Sequence, residues 1–249
     1  MTLELYHWEP VGESAKLLIL MEELGLEYRS YYVDVLKLEQ YSSDYLALSP
    51  MGNVPVLIHH SEVFDNPKLT SYYLAEEFPN EQLIPSSPKQ WYDVQAWCNT
   101  LDAQLEATVR MLGWNTVMLP LMSPKERDAF QKKLEKAPRP RLAGWGAVWS
   151  DAEASENQLE NARHRVETAI GKLEATLDKL PMLTGASFTV ADSNAYALVY
   201  TLPRLLPKIV NEAKTPNLME WLYTIGERPA VKKVMHMKKD REEDLYAHG

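Results

Sequence analysis

The stretch Met51-Gly52-Asn53-Val54-Pro55-Val56-Leu57 decides how this chain reads. A Gly-Asn turn leads into a Val-Pro step at the head of an apolar run. A cis Val-Pro bond there would turn the backbone N–H and C=O of Val54 outward, as an edge that an extended peptide could join. The same residues also fit a tight turn with no ligand. Upstream, Leu3, Leu5 and His7 alternate with more polar neighbours, as in a half-buried strand. Ser14 then precedes an amphipathic helical stretch, Lys16 to Leu24, that stops at Gly25. Tyr28 to Val35 is rich in Tyr and Val, a strand signature, and Glu39 to Leu48 is helical up to Pro50. Downstream, Val54 to His59 and Glu62 to Phe64 form short strands around a His-Ser turn. Asn66-Pro67 opens a helix to Phe78, with Pro in the first turn, where its missing N–H costs nothing.

The predicted order is βαβαββα: a helix between parallel strands, then a hairpin and a closing helix. That is the layout of the thioredoxin-like fold, and it occupies residues 1–80. Residues 81–88, with Pro85, Ser86, Ser87 and Pro88, read as a linker. From there to residue 249 helical periods dominate, with candidate helices at 88–112, 124–136, 152–179, 190–205, 216–226 and 229–238. A Pro- and Trp-rich segment from Pro138 to Trp149 interrupts them. The fold class is therefore an α/β thioredoxin-like domain followed by an all-α domain. Thr189 and Asp192 have capping-box spacing at a helix start, a folding role worth about 1 kcal/mol or more.

Composition narrows the function classes. Of 249 residues 45% are apolar and 24% charged, an ordinary globular balance. The apolar runs, such as Leu17 to Met21, fall far short of the ~20 residues a bilayer span needs, so a soluble, cytoplasmic protein without membrane association is expected. One cysteine, Cys98, excludes an internal disulfide, and no Cys/His spacing pattern suggests a metal site. The net charge of −9 lies wholly in the first third, where residues 1–80 hold four Lys/Arg against thirteen Asp/Glu. Such a segment repels nucleic acid, which is not an expected partner. The basic cluster from Lys232 to Arg241 is neutralised by Asp240, Glu242, Glu243 and Asp244.

With Val54-Pro55 go Thr189-Val190-Ala191-Asp192, Thr215-Pro216-Asn217-Leu218, Trp221-Leu222 and Arg228-Pro229-Ala230-Val231. Together these resemble the cytosolic glutathione transferases over the whole chain. Within that superfamily, Tyr32-Val33-Asp34, Leu38-Glu39-Gln40 and the C-terminal stretch from Lys214 to Leu245 are similar to the bacterial lignin β-etherases. The resemblance implies glutathione as co-substrate, a lignin-derived aryl ether as substrate, and a dimer with a second chain of the same fold.

What the resemblance implies residue by residue is mixed. Ser14, near the first helix's N-terminus, corresponds to the hydroxyl that stabilises the glutathione thiolate; it serves equally well as a plain N-cap, and Glu13 beside it carries the wrong charge. Gln40, Asn53, Val54 and Pro55 match positions that hold the glycyl and cysteinyl parts of glutathione. The family's Glu-Ser pair at the third helix, which binds the γ-glutamyl end, is replaced without gaps by Asn66 and Pro67; a shift of one residue would pair Asp65-Asn66 instead. Proline supplies neither a hydroxyl nor an N–H. Two lost donors to a carboxylate, at roughly 1.5–3 kcal/mol each, weaken binding by about two to four decades. Asp102 matches an acid that reaches the partner subunit's glutathione. Met111, Trp114, Met118, Trp145 and Trp149 offer aromatic and apolar surface for a substrate, or are plain core. The expectation is a β-etherase subunit that is site-impaired and works in a heterodimer, with glutathione bound by both subunits or by its partner alone. The alternatives are a competent homodimeric enzyme and a non-enzymatic binding protein of the same fold.

Overall fold

The computed structural model describes residues 3–80, 83–134 and 156–237. Its first part contains β1 (Leu3–His7), α1 (Gly12–Glu23), β2 (Tyr28–Tyr32), α2 (Ser43–Leu48), β3 (Val56–His59), β4 (Glu62–Phe64) and α3 (Pro67–Glu77), in the predicted order. The strands form one sheet, ordered β2-β1-β3-β4. β1 and β2 run parallel with Leu5 opposite Ser30; β1 is antiparallel to β3 with Leu5 opposite Leu57, and β3 is antiparallel to β4. The alternation of β1 sends Leu3 and Leu5 into the main core, while Tyr6 packs with Val56 and with Tyr45 of α2 in a separate small cluster.

Two expectations change locally. The Tyr/Val run ends as a strand at Tyr32, because the Asp34 carboxylate accepts from the N–H groups of Leu36 and Lys37 and closes a 3₁₀ turn over Val35–Lys37. The expected helix from Glu39 likewise divides into a 3₁₀ turn, Glu39–Tyr41, and α2, whose N-cap is Ser42.

The second part is helical. α4 (Pro88–Leu101) continues through a π-turn at Asp102–Glu106 into α5 (Ala107–Gly113), and through a second at Trp114–Met118 into α6 (Leu119–Leu121). The expected helix 88–112 therefore runs on to Leu121, the second π-turn preceding Pro120, whose missing N–H removes one rung of the ladder. Then come α7 (Pro124–Leu134), α8 (Glu156–Leu177), α9 (Val190–Val199), α10 (Leu202–Leu205), α11 (Pro216–Gly226) and α12 (Pro229–Met235). The stretch read as one helix over 190–205 breaks at Tyr200-Thr201, just before Pro203. Trp145 and Trp149 lie outside the described residues. Among the described residues no helix is long and apolar enough to cross a membrane.

The main core is continuous across both parts, from Leu5 and Leu17 to Val199 and Trp221. Its centre is α1, which is not amphipathic: every residue from Ser14 to Met21 is buried, because α3, α9 and α12 all pack against it. The connection read as a linker is packed as well: Leu83 is 2% exposed and its carbonyl accepts from the Val190 N–H. At the start of α9, Asp192 completes the capping box with Thr189 and also accepts from the Leu183 N–H and the Trp221 indole.

Candidate functional site

A cleft of ≈ 480 Å³ opens between the first turns of α1 and α3 and the stretch of helix carrying both π-turns. Several elements contribute to it. Gly52 holds φ +59, and a Cβ there would stand 2.7 Å from the Gln40 carbonyl, so the turn before Val54 closes tightly on the Glu39–Tyr41 turn. Gln40 is 3% exposed, lines the cleft and has an Oε1 with no hydrogen-bond partner among the described residues. The Val54–Pro55 bond is cis; Val54 lines the cleft and Pro55 is buried and does not. Asn53 is pinned from two directions: its N–H donates to Ser49 Oγ and its side-chain amide to Asp65 Oδ2.

Ser14 is not the N-cap of α1. Val11 is, without a side-chain bond, and Ser14 stands at the third helical position, where its Oγ accepts from the Trp8 N–H at 3.2 Å. That placement, 4% exposed in the wall of the cleft, leaves the positive end of α1 facing the ligand space. An anion there gains from the helix end and the hydroxyl but meets Glu13 in the same turn.

Beneath this turn is a group the sequence reading passed over. Lys16, 0% exposed, donates through Nζ to Glu13 Oε1 and to Asp102 Oδ1, each at 2.5 Å. Burial opposes the lysine's charge, yet Glu13 and Asp102 outweigh it and hold the ammonium above its ordinary range. Burial likewise pushes the Glu13 carboxyl up, with Lys16 pulling the other way. Asp102 is therefore no solvated helix acid; it sits in the cleft of its own chain, bonded to Lys16. The signal for this pairing was present as an i,i+3 Glu13–Lys16 spacing at the head of an apolar helix.

The α3 end is equally specific. Asn66 is the N-cap, its Oδ1 accepting from the Leu69 N–H at 3.1 Å, and Pro67 occupies the first turn. The Asn66 carbonyl accepts from the Thr70 hydroxyl. Asn66 thus spends its side-chain oxygen on the helix while its Nδ2 amide remains a donor at the cleft, and Pro67 brings none. Four acids, Glu13, Asp65, Asp102 and Glu106, line the cleft against two bases, Lys68 and Arg110. Arg110 pairs with Glu106 at 3.0 Å and Lys68 donates to Asn99. At the far wall, Trp114 and Met118 line the cleft from the second π-turn, with Trp114 against Phe130 at 5.8 Å between centroids. Met111 packs behind them and does not line it. Trp8, Glu106 and Arg110 join the cleft without having been singled out as site residues, since only tertiary packing brings them there; Asp65, named only in the shifted pairing, joins it too.

Two family models match the sequence: the glutathione S-transferase N-terminal domain over residues 1–70 and the glutathione S-transferase C-terminal domain over residues 111–229. The chain belongs to the glutathione S-transferase family. Protein LigF of Sphingobium sp. (strain NBRC 103272 / SYK-6) is 29% identical to it over 98% of this chain and 96% of the relative. The crystal structure of beta-etherase LigF from Sphingobium sp. strain SYK-6 superposes with a TM-score of 0.84 at 28% identity, covering 96% of this chain and all of that one. The glutathione transferase URE2P6 from Phanerochaete chrysosporium, solved with oxidized glutathione, shares the fold at a TM-score of 0.73 and 22% identity, with 94% of each chain covered.

Proposed function

We propose that this chain is a subunit of a glutathione-dependent β-etherase that cleaves β-aryl ether bonds of lignin-derived aromatics, and that its own glutathione site is impaired, so that a related partner subunit binds the co-substrate. The end-to-end likeness to beta-etherase LigF supports the reaction class. The observation that carries the impairment is the α3 N-terminus, where Pro67 offers neither an N–H nor a hydroxyl and the Asn66 oxygen is taken by the Leu69 N–H. The acid-rich lining of the cleft adds repulsion toward an anionic thiol peptide.

In the reaction proposed, the glutathione thiolate attacks the carbon bearing the aryl ether, activated by an adjacent carbonyl. The C–S bond forms as the C–O bond breaks, and the phenolate leaves and takes a proton from water. The protein's part is to hold the sulfur ionised and the aryl group oriented. Trp114 and Met118 provide the apolar wall for the aryl ring. Asp102, bonded through Oδ1 to the buried Lys16, adds its charge to the lining of this chain's own cleft, so a role toward the partner's glutathione rests on the family likeness alone.

A second reading, a competent homodimer, is favoured by Ser14, Gln40, Asn53 and Val54 all lining one cleft of ligand size. Calorimetry with millimolar glutathione and the chain purified alone separates the two. Absence of binding supports the impaired subunit; sub-millimolar affinity shows a competent site and makes the homodimer the leading reading instead. Pro67→Ser restores an N–H and a hydroxyl without disturbing the Asn66 cap, and is expected to tighten glutathione at least tenfold, the effect of about 1.4 kcal/mol. Unchanged affinity in that variant defeats the explanation based on Pro67.

A further inference from the structure

We propose that His59, His60 and Glu77 form a binding site for a divalent transition-metal ion of the zinc type, outside the cleft. One donor atom from each residue lies within 4.8 Å of the other two. None of the three lines the cleft, so the site is separate from the glutathione chemistry and does not depend on it.

The fold builds this cluster from opposite ends of the thioredoxin-like part. His59 ends β3, and His60 and Ser61 take φ +53 and +67 in the two-residue turn to Glu62. Glu77 ends α3. The His59 ring is buried, packed against Tyr73 of α3 and Phe78 just after it, with the His60 ring 3.8 Å away. Its Nδ1 lies 2.7 Å from the Tyr73 hydroxyl. That bond fixes the ring and assigns Nε2 to the metal, the arrangement in which a ligating imidazole is oriented through its other nitrogen.

Two imidazoles and one carboxylate suit zinc, with water in the fourth position. Zinc–nitrogen bonds of about 2.0–2.1 Å place tetrahedral donors roughly 3.4 Å apart. Closing 4.8 Å to that spacing needs up to about 1.4 Å of adjustment, which the exposed His60 and Glu77 side chains can supply around the fixed His59. A bound ion would clamp the β3–β4 turn to the end of α3 and stabilise the folded state by mass action.

The test uses tag-free, EDTA-treated protein titrated with zinc chloride in a calorimeter, with magnesium chloride as control and thermal melting in parallel. One equivalent of zinc is expected to bind and raise the melting temperature, with no effect of magnesium. His60→Asn, which keeps a side chain tolerant of positive φ, and Glu77→Gln are each expected to weaken zinc at least about tenfold. Both sites are exposed, so both variants should melt like the parent in EDTA; His59→Ala, in the core, is unsuitable. No binding to the parent, or unchanged zinc affinity in either variant, overturns the proposal. Cobalt supplies an independent reading: intense visible bands from a four-coordinate ion should appear in the parent and be lost in His60→Asn.

Discussion

Replacing Lys16 by Met keeps most of the side-chain volume and removes the one cation between Glu13 and Asp102. Lys16 is fully buried and its two partners are mostly so, with side-chain exposures of 22% and 16%. Breaking a buried ion pair by deleting one partner costs about 3–5 kcal/mol, because the remaining charge is left in a poor solvent. At about 2–4 °C per kcal/mol for a chain of this size, the melting temperature should fall by about 6–20 °C at neutral pH. The loss should also depend on pH. Burial already raises the Glu13 carboxyl, and without Lys16 nothing nearby pulls it back. An acid whose pKa is raised on folding contributes stability below its unfolded value, ~4.3, and loses it as pH rises through the folded value. Lys16→Met should therefore be least destabilising near pH 4 and progressively more so toward neutrality. Adding Glu13→Gln to Lys16→Met should recover part of the deficit. Denaturant and thermal unfolding followed by circular dichroism across that pH range reads all three effects. A loss under about 1 kcal/mol, or one constant with pH, would refute the claim that Lys16 neutralises buried Glu13 and Asp102.

Two further predictions concern groups away from α3. Asp192→Ala strands the donors of Leu183, Thr189 and Trp221 in the core, at about 1–3 kcal/mol each, and should give little folded protein at physiological temperature; a melting temperature within a few degrees of the parent contradicts it. His7 is buried, with Nδ1 donating to the Trp8 carbonyl and Nε2 accepting from the Ser30 hydroxyl, and burial lowers its pKa. The folded state thus resists protonation, so stability is present above the unfolded value of ~6.5 and declines as pH falls through it; His7→Gln should flatten that slope, and an identical slope in the variant removes His7 as its source.

The fold was legible because its signals are local and periodic. Alternation in β1, the Val54-Pro55 step and Pro67 in the first turn of α3 each follow from backbone sterics that neighbours in sequence control. The Thr189–Asp192 box is likewise complete within four residues. Local reading failed where burial decides. Lys16 to Leu24 looked amphipathic because a lysine heads the run, but the lysine is buried against acids and the helix has no solvent face. Ser14 looked like a cap because its type favours that position, while the helix begins at Gly12 with Val11 as its N-cap.

The sequence by itself determined the element order, the family and the identity of the residues at the α3 N-terminus, all of which depend on contacts or motifs short in sequence. Only the tertiary structure decided what those residues face. Lys16 meets Asp102 across 86 positions, and His59 and His60 meet Glu77 across the span of α3, because desolvated charges and imidazole rings take whichever partner the packed core brings within bonding distance. Spacing in sequence carries no record of that distance.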